Sequence, residues 1–315
     1  MSLAHYEGLF VPGLDQWVTI QSRNAANPVL FILSGPGAAF SRMAPFFAPW
    51  EADFTLVQWD QPGAGATVAR NGAQPLSLDR LARDAASVLE FVLYRLARTK
   101  ALVLGISGGS VVGLMLARQR PDLLSAYIGT GQFVDWATQD RLSYDLLLAR
   151  ARAAGDQAIV GDLVRIGPPP YADAETDLIK SGYAGAMTAA ELAAFASLDA
   201  ATSAAMANPP SGATYVAPGL PAPDQRANAM AAYQAVRAEL LTFDARALGM
   251  RFDIPMVFLQ GDEDVYSVTS EVDAYAAQIQ APVVRFALVA GGGHSSVFMR
   301  DAFLDLLNRH VRPLT

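Results

Sequence analysis

The chain has 315 residues, no cysteine and three histidines, with 30 acidic against 23 basic side chains and a formal net charge of −7 at pH 7. That length suits one large α/β domain or a core with an inserted subdomain, and 52% hydrophobic against 17% charged residues excludes a disordered chain. The charge argues against nucleic acid or an anionic membrane as partner, and the missing cysteines exclude disulfides, thiolate metal sites and a cysteine nucleophile.

His5, His294 and His310 are too few and too scattered for an imidazole metal site, so neither a metal nor another cofactor is expected. The N-terminus has no basic start and no apolar core of signal-peptide type, and no apolar run reaches the ~20 residues of a membrane span. The expectation is a soluble, cytoplasmic protein acting on a small molecule or short peptide.

The segment YEGLFVP (6–12) pairs naturally with the alternating run Gln16–Arg23. Pro28–Gly35 is a short continuous apolar run ending in glycine, as in a buried parallel strand, and Phe54–Ala66 repeats that design. Ser77 can cap the next helix, with Asp79 in its first turn and Leu78, Leu81, Ala85, Val88, Leu89, Val92 and Leu96 on one face. ALVLGIS (101–107) is a third buried strand, followed by a helix that Pro121 ends, and Ser125–Gly131 is a fourth.

From 133 to 244 no buried strand is evident; the segment is rich in alanine and is broken by IGPPPYAD and by a long proline-rich stretch, 208–225. A stretch that long without structure of its own points to a mobile or functional segment. Strand-like runs return at Ile254–Asp264 and Val283–His294, and the amphipathic helix VFMRDAFLDLLNRHV closes the chain. This alternation predicts a doubly wound, mostly parallel α/β core over 1–132 and 245–315, with a helical insertion over 133–244. Such sheets bind ligands at the C-terminal ends of their strands, where Gly35, Ser107, Asp264 and His294 all fall.

Gly105-Ile106-Ser107-Gly108-Gly109 matches G-x-S-x-G with a strand before it and a helix after it. In such an elbow the serine is lifted above the sheet, and the residues two before and two after it must be small. No lysine follows to make a phosphate loop, and GAGATV at Gly63 lacks the third glycine of a dinucleotide fingerprint. A serine hydroxyl needs a base and a group to orient that base. Of the histidines, His294 alone follows a strand. The chain order serine, acid, histidine places the acid in QGDEDVYS; Asp264 is favoured because it has left the strand, with Asp262 as the alternative. Backbone N–H groups of Gly108 and Gly35 are the expected oxyanion donors.

With these residues placed, the chain resembles the α/β-hydrolase fold, and within it the proline iminopeptidase-type (prolyl aminopeptidase) serine hydrolases. LSGPG (33–37) stands at that family's H-G-G-P-G, VQWDQPGAGAT (57–67) at D-Q-R-G-x-G-x-S, GISGGS (105–110) at its elbow, GDED (261–264) at its acid turn and GGGHS (291–295) at its histidine turn. The resemblance implies a triad of Ser107, Asp264 and His294, oxyanion donors Gly35 and Gly108, and a helical cap over 133–244. The family's first motif is altered at Leu33 and Ser34 and its second at Pro62, and Gly108 replaces a bulkier residue, leaving a gap where a different substrate can fit.

Family peptidases hold the substrate's amine with cap acids; here Asp135, Asp140, Asp145, Asp173, Glu175, Glu191 and Glu239 read mostly as solvated helix faces. Phe133, Trp136 and Tyr144 are candidates for the substrate-binding wall, and Phe40, Phe46, Phe47, Trp50 and Tyr171 either join it or fill core. The expected activity is ester or amide hydrolysis through an acyl-enzyme, iminopeptidase-like. The alternatives are a carboxylesterase, a C–C hydrolase or perhydrolase using the same triad, and a catalytically silent binding protein.

Overall fold

The computed structural model describes residues 5–207, 217–220 and 224–315; most of the proline-rich stretch 208–225 lies outside them. Its centre is an eight-stranded sheet of β1 (His5–Val11), β2 (Gln16–Ser22), β3 (Val29–Leu33), β4 (Thr55–Asp60), β5 (Ala101–Ile106), β6 (Leu124–Thr130), β7 (Met256–Gly261) and β8 (Val284–Val289). The spatial order is β1-β2-β4-β3-β5-β6-β7-β8, and only β2 runs against its neighbours.

The central strands are apolar on both faces because helices cover both. Side-chain alternation sorts them: Val29, Phe31, Leu33, Ala101 and Val103 join one core cluster, while Leu30, Ile32, Leu102, Leu104 and Ile106 join the other. After the short α1 (Ala44–Phe47) and α2 (Gly65–Asn71) comes α3 (Leu78–Arg95), capped by Ser77, whose side chain accepts from the Arg80 N–H. Its Leu81, Val88, Leu89 and Val92 are fully buried in the first cluster, each worth about 1.5–3 kcal/mol. α4 (Gly108–Gln119) packs beside α3 on the same face.

Between β6 and β7 come α5 (Trp136–Ala154), α6 (Gln157–Ile166), α7 (Ala174–Ala184), α8 (Ala189–Ala196), α9 (Ala200–Ala207) and α10 (Gln225–Leu240). The chain leaves and re-enters the core through one antiparallel bridge, Asp135 with Asp244, where the Trp136 N–H donates to the Phe243 carbonyl at 3.0 Å. α11 (Thr269–Ala276) follows β7, and α12 (Arg300–His310) follows β8. The closing helix begins later than its apolar spacing predicts, because a separate 3₁₀ turn at Ser296–Phe298 ends before it. β8 also departs from expectation: it has a neighbour on one side only and is half-exposed along most of its length.

No helix among the described residues is long and apolar enough to cross a membrane. Phe40, Phe46, Phe47 and Trp50 are core filling: they pack together in the second cluster, with Phe46 edge-on to Phe298 and Trp50 stacked on Phe303. Tyr171 donates its hydroxyl to the Gly167 carbonyl.

Candidate active site

Ser107 stands between β5 and α4 with φ +54° and ψ −127°, a sparsely populated backbone conformation costing about 1–3 kcal/mol that persists only when its surroundings enforce it. Here they do: its N–H donates to the Thr130 carbonyl at the end of β6 at 3.0 Å. A Cβ on Gly105 would lie 2.8 Å from the Ser110 Cα and 2.9 Å from the Gly109 oxygen, and one on Gly109 would collide with the Leu33 carbonyl. Both glycines are therefore demanded by close backbone approach.

Ser107 Oγ lies 2.8 Å from His294 Nε2, and His294 Nδ1 lies 3.1 Å from Asp264 Oδ2. Asp264 is 3% exposed, whereas Asp262 is exposed, so Asp264 is the acid that meets the histidine. Its Oδ2 also accepts from Gln260 Nε2 at 2.8 Å and Ser267 Oγ at 2.5 Å, and Oδ1 accepts from the N–H groups of Tyr266 and Ser267 at 2.8 and 3.0 Å. Burial pushes this carboxyl up, but the neighbouring His294 and the donated hydrogen bonds outweigh it and hold the pKa below the ordinary carboxylate value.

A group depressed in the folded state contributes stability above its unfolded pKa and loses it as pH falls through the folded value. Urea midpoints of the wild type and Asp264→Asn should therefore differ at pH 7, with the gap starting to narrow below about pH 4 and closing only below the depressed folded value. A gap that stays constant from pH 7 to pH 3 would count against this assignment.

The Gly35 and Gly108 backbones meet beside Ser107, a Cβ on Gly35 coming within 3.8 Å of the Gly108 N and Cα. Neither N–H has an acceptor among the described residues, and Gly108 opens α4, whose positive end faces the site. The gap expected at Gly108 is not free space: a Cβ there would sit 3.0 Å from Pro36 Cδ, so the proline ring fills it.

Beside these groups lies a cavity of about 500 Å³, lined by Phe133, Trp136, Leu178, Met230, Tyr233 and Tyr266, with Arg226 the one charged side chain among its described lining residues. Tyr144 is not part of it. Its ring packs in a separate cluster with Leu147, Leu163 and Val265, and its hydroxyl donates to the Leu163 carbonyl at 3.1 Å, turning it away from the cavity. Tyr266 and Phe133 flank the His294 ring at centroid distances of 4.7 and 5.8 Å. Gly131, at φ +54°, lets that ring approach, since a Cβ there would lie 3.0 Å from His294 Cε1.

Several of the acids expected on solvated faces are buried instead. Asp140 pairs with the fully buried Lys180, and Glu191 is fully buried beside the histidine loop. Asp177, 2% exposed, accepts the Tyr233 hydroxyl and a 3.3 Å bond from Ser181 Oγ, and lies 3.7 Å from Arg237 Nε. The Tyr266 hydroxyl in turn donates to Ser181 at 2.9 Å. Burial, with the Asp177 bond second, raises the Tyr233 phenol far above its ordinary value, so it stays a neutral donor. Two carboxylates face two cations in this cluster, and it holds no negative charge in excess.

Ser267, Gln260, Gly131, Tyr233 and Asp177 escaped the sequence reading. Only the T-x-x-E pattern at 188–191 carried a readable local signal, that of a capping box. Among the described residues no group of three or more acidic or histidine side chains could hold a metal ion.

The family described as "Serine aminopeptidase, S33" matches residues 24–177 of the chain. The probable aminopeptidase YbaC of Bacillus subtilis is 27% identical over 176 residues, covering 54% of each chain. A putative carbamate hydrolase RutD of Caulobacter segnis is 31% identical over 104 residues, covering 33% of this chain and 38% of the relative. The chain thus spans about half the length, or less, of the curated relatives it matches.

Among solved structures, a proline iminopeptidase-related protein from Thermus thermophilus superposes with a TM-score of 0.63 at 16% identity, covering 99% of this chain and 100% of that one. An esterase from Rhodococcus sp. ECU1013 gives 0.60 at 17% identity over the whole of both chains. The architecture is that of the α/β-hydrolases.

Proposed function

We propose that this chain of α/β-hydrolase fold is a serine hydrolase that cleaves an ester or amide bond through an acyl-enzyme, with 133–244 as a cap over the site. One observation carries the reading: the unbroken relay from Ser107 through His294 to Asp264, at 2.8 and 3.1 Å, beside an apolar cavity. His294 takes the Ser107 proton as Oγ attacks the substrate carbonyl, and Asp264 holds the imidazole in the required tautomer. The Gly35 and Gly108 N–H groups receive the oxyanion, His294 protonates the leaving group, and water activated by the same histidine releases the acid.

The substrate's acyl part is apolar and lacks a free ammonium. The cavity wall offers no carboxylate among its described residues, and the nearby Asp177 is already committed to Tyr233, Ser181 and Arg237. An ammonium placed there would lose its hydration without a partner. This favours an esterase or amidase over an iminopeptidase, although relatives named aminopeptidases share the fold and part of the sequence.

A hydrolysis panel tests it. Short and medium p-nitrophenyl acyl esters should exceed prolyl and other aminoacyl arylamides by about 100-fold or more in kcat/KM, equivalent to about 2.7 kcal/mol. Preferred cleavage of prolyl substrates would restore the iminopeptidase reading.

A further inference from the structure

We propose that Glu191, together with Thr188, is a positioning residue for His294, so that the cap joins the core loops in setting where the base stands. The inference rests on the reading of Ser107 and His294 given above. α8 opens with a capping box in which Thr188 Oγ1 accepts the Glu191 N–H at 3.2 Å and Glu191 Oε2 accepts the Thr188 N–H at 2.8 Å. A box that served only the helix would end there. Here its outward-facing atoms are also used: Glu191 Oε1 accepts the Gly293 N–H at 2.7 Å, and the Thr188 hydroxyl donates to the Gly291 carbonyl at 2.7 Å.

Residues 291, 292 and 293 are all glycine, and the next residue is His294. Three glycines in a row have no side chains with which to hold a shape. The core holds the middle one, its N–H donating to the Val289 carbonyl at 3.0 Å and its carbonyl accepting the Glu263 N–H at 2.8 Å, while the cap holds the other two: Thr188 holds Gly291 and Glu191 holds Gly293. The close fit explains the glycine at 293, where a Cβ would come within 2.9 Å of Thr188 Cγ2 and 3.3 Å of Glu191 Oε2. Glu191 is fully buried, which for a carboxylate needs compensation; its two backbone N–H donors supply it. One end of a cap helix is thus fastened to the residue before the base.

The test uses the full chain with Glu191→Ala and Glu191→Gln, an acyl ester substrate, and NMR of histidine-labelled protein, in which His5, His294 and His310 are the only sources of ring signals. Alanine should lower kcat about 10- to 100-fold, the scale of an ångström-sized misplacement, with KM changed less than about twofold. Glutamine should recover part of the loss, because its carbonyl oxygen still accepts one N–H. The His294 ring signals should move in both variants while those of His5 and His310 stay.

A folded Glu191→Ala with wild-type kcat, a loss carried by KM alone, or unmoved His294 signals would overturn the inference. If the alanine variant does not fold, Glu191→Gln decides by the same readouts. Moved His294 signals in a protein without hydrolase activity would sink the functional reading and leave the clamp; an active protein with unmoved signals would do the reverse.

Discussion

Ser107→Ala should lower kcat by about 10⁴- to 10⁶-fold and abolish labelling by a fluorophosphonate probe, without lowering stability. Among the described residues the hydroxyl hydrogen-bonds His294 alone, and that ring keeps its bond to Asp264. The strained turn remains, because it is enforced by the Thr130 carbonyl and by the close approach at Gly105 and Gly109, none of which involves Oγ. On the proposed mechanism the substitution removes the nucleophile, and any residual rate would come from the Gly35 and Gly108 N–H groups and the cavity. Asp264→Asn should cost about 10⁴-fold by presenting the wrong tautomer of His294 while keeping the geometry. Labelling of Ser107→Ala at the wild-type rate would remove Ser107 from the mechanism.

Asp140→Ala should be the most destabilising of the cap substitutions, costing about 3–5 kcal/mol and read as a lower urea midpoint. Lys180 is fully buried, with Asp140 as its hydrogen-bonded partner and the Tyr266 ring 5.2 Å from its Nζ. Removing the carboxylate takes from the buried Lys180 Nζ its hydrogen-bond partner, while Asp177 stays engaged by Tyr233, Ser181 and Arg237.

The pair itself contributes far less than that. Burial holds the Asp140 carboxyl above its ordinary value despite the Lys180 charge, which shows how much desolvation opposes the attraction. The double variant Asp140→Leu with Lys180→Met should therefore recover most of the lost stability. Because Tyr266 packs on His294, the single variant should also lose activity before it unfolds globally. Equal stabilities for Asp140→Ala and the wild type would mean that Lys180 escapes to solvent.

The elbow was legible in the sequence because its requirements are local. Glycines two before and two after a serine, between an apolar strand and a helix, have few other uses, and the structure places a close backbone contact at each. The meeting of Ser107, Asp264 and His294 was legible for a different reason: parallel strands bring their C-terminal ends to one edge, so residues 187 positions apart become neighbours once the strand order is known.

Side chains in the helical insertion were not legible in the same way. Tyr144 and Trp136 look alike as aromatic residues of one helix, yet one faces the cavity and the other a private cluster, because α6 and α7 cover only part of α5. Asp140 and Glu191 read as solvated acids, since a charge on a helix has water as its default partner.

Their burial depends on partners 40 and 102 residues away. Gly108 shows the same limit: its missing side chain suggested room, and the Pro36 ring occupies it. Local signals were enough for the sheet, the elbow and the chain order of Ser107, Asp264 and His294, because periodicity and backbone sterics act over short stretches and the strand ends follow from topology. Which acids are buried, which aromatics line the cavity and what holds the His294 loop emerge only from the packed chain, because those outcomes depend on which surfaces exclude water from one another.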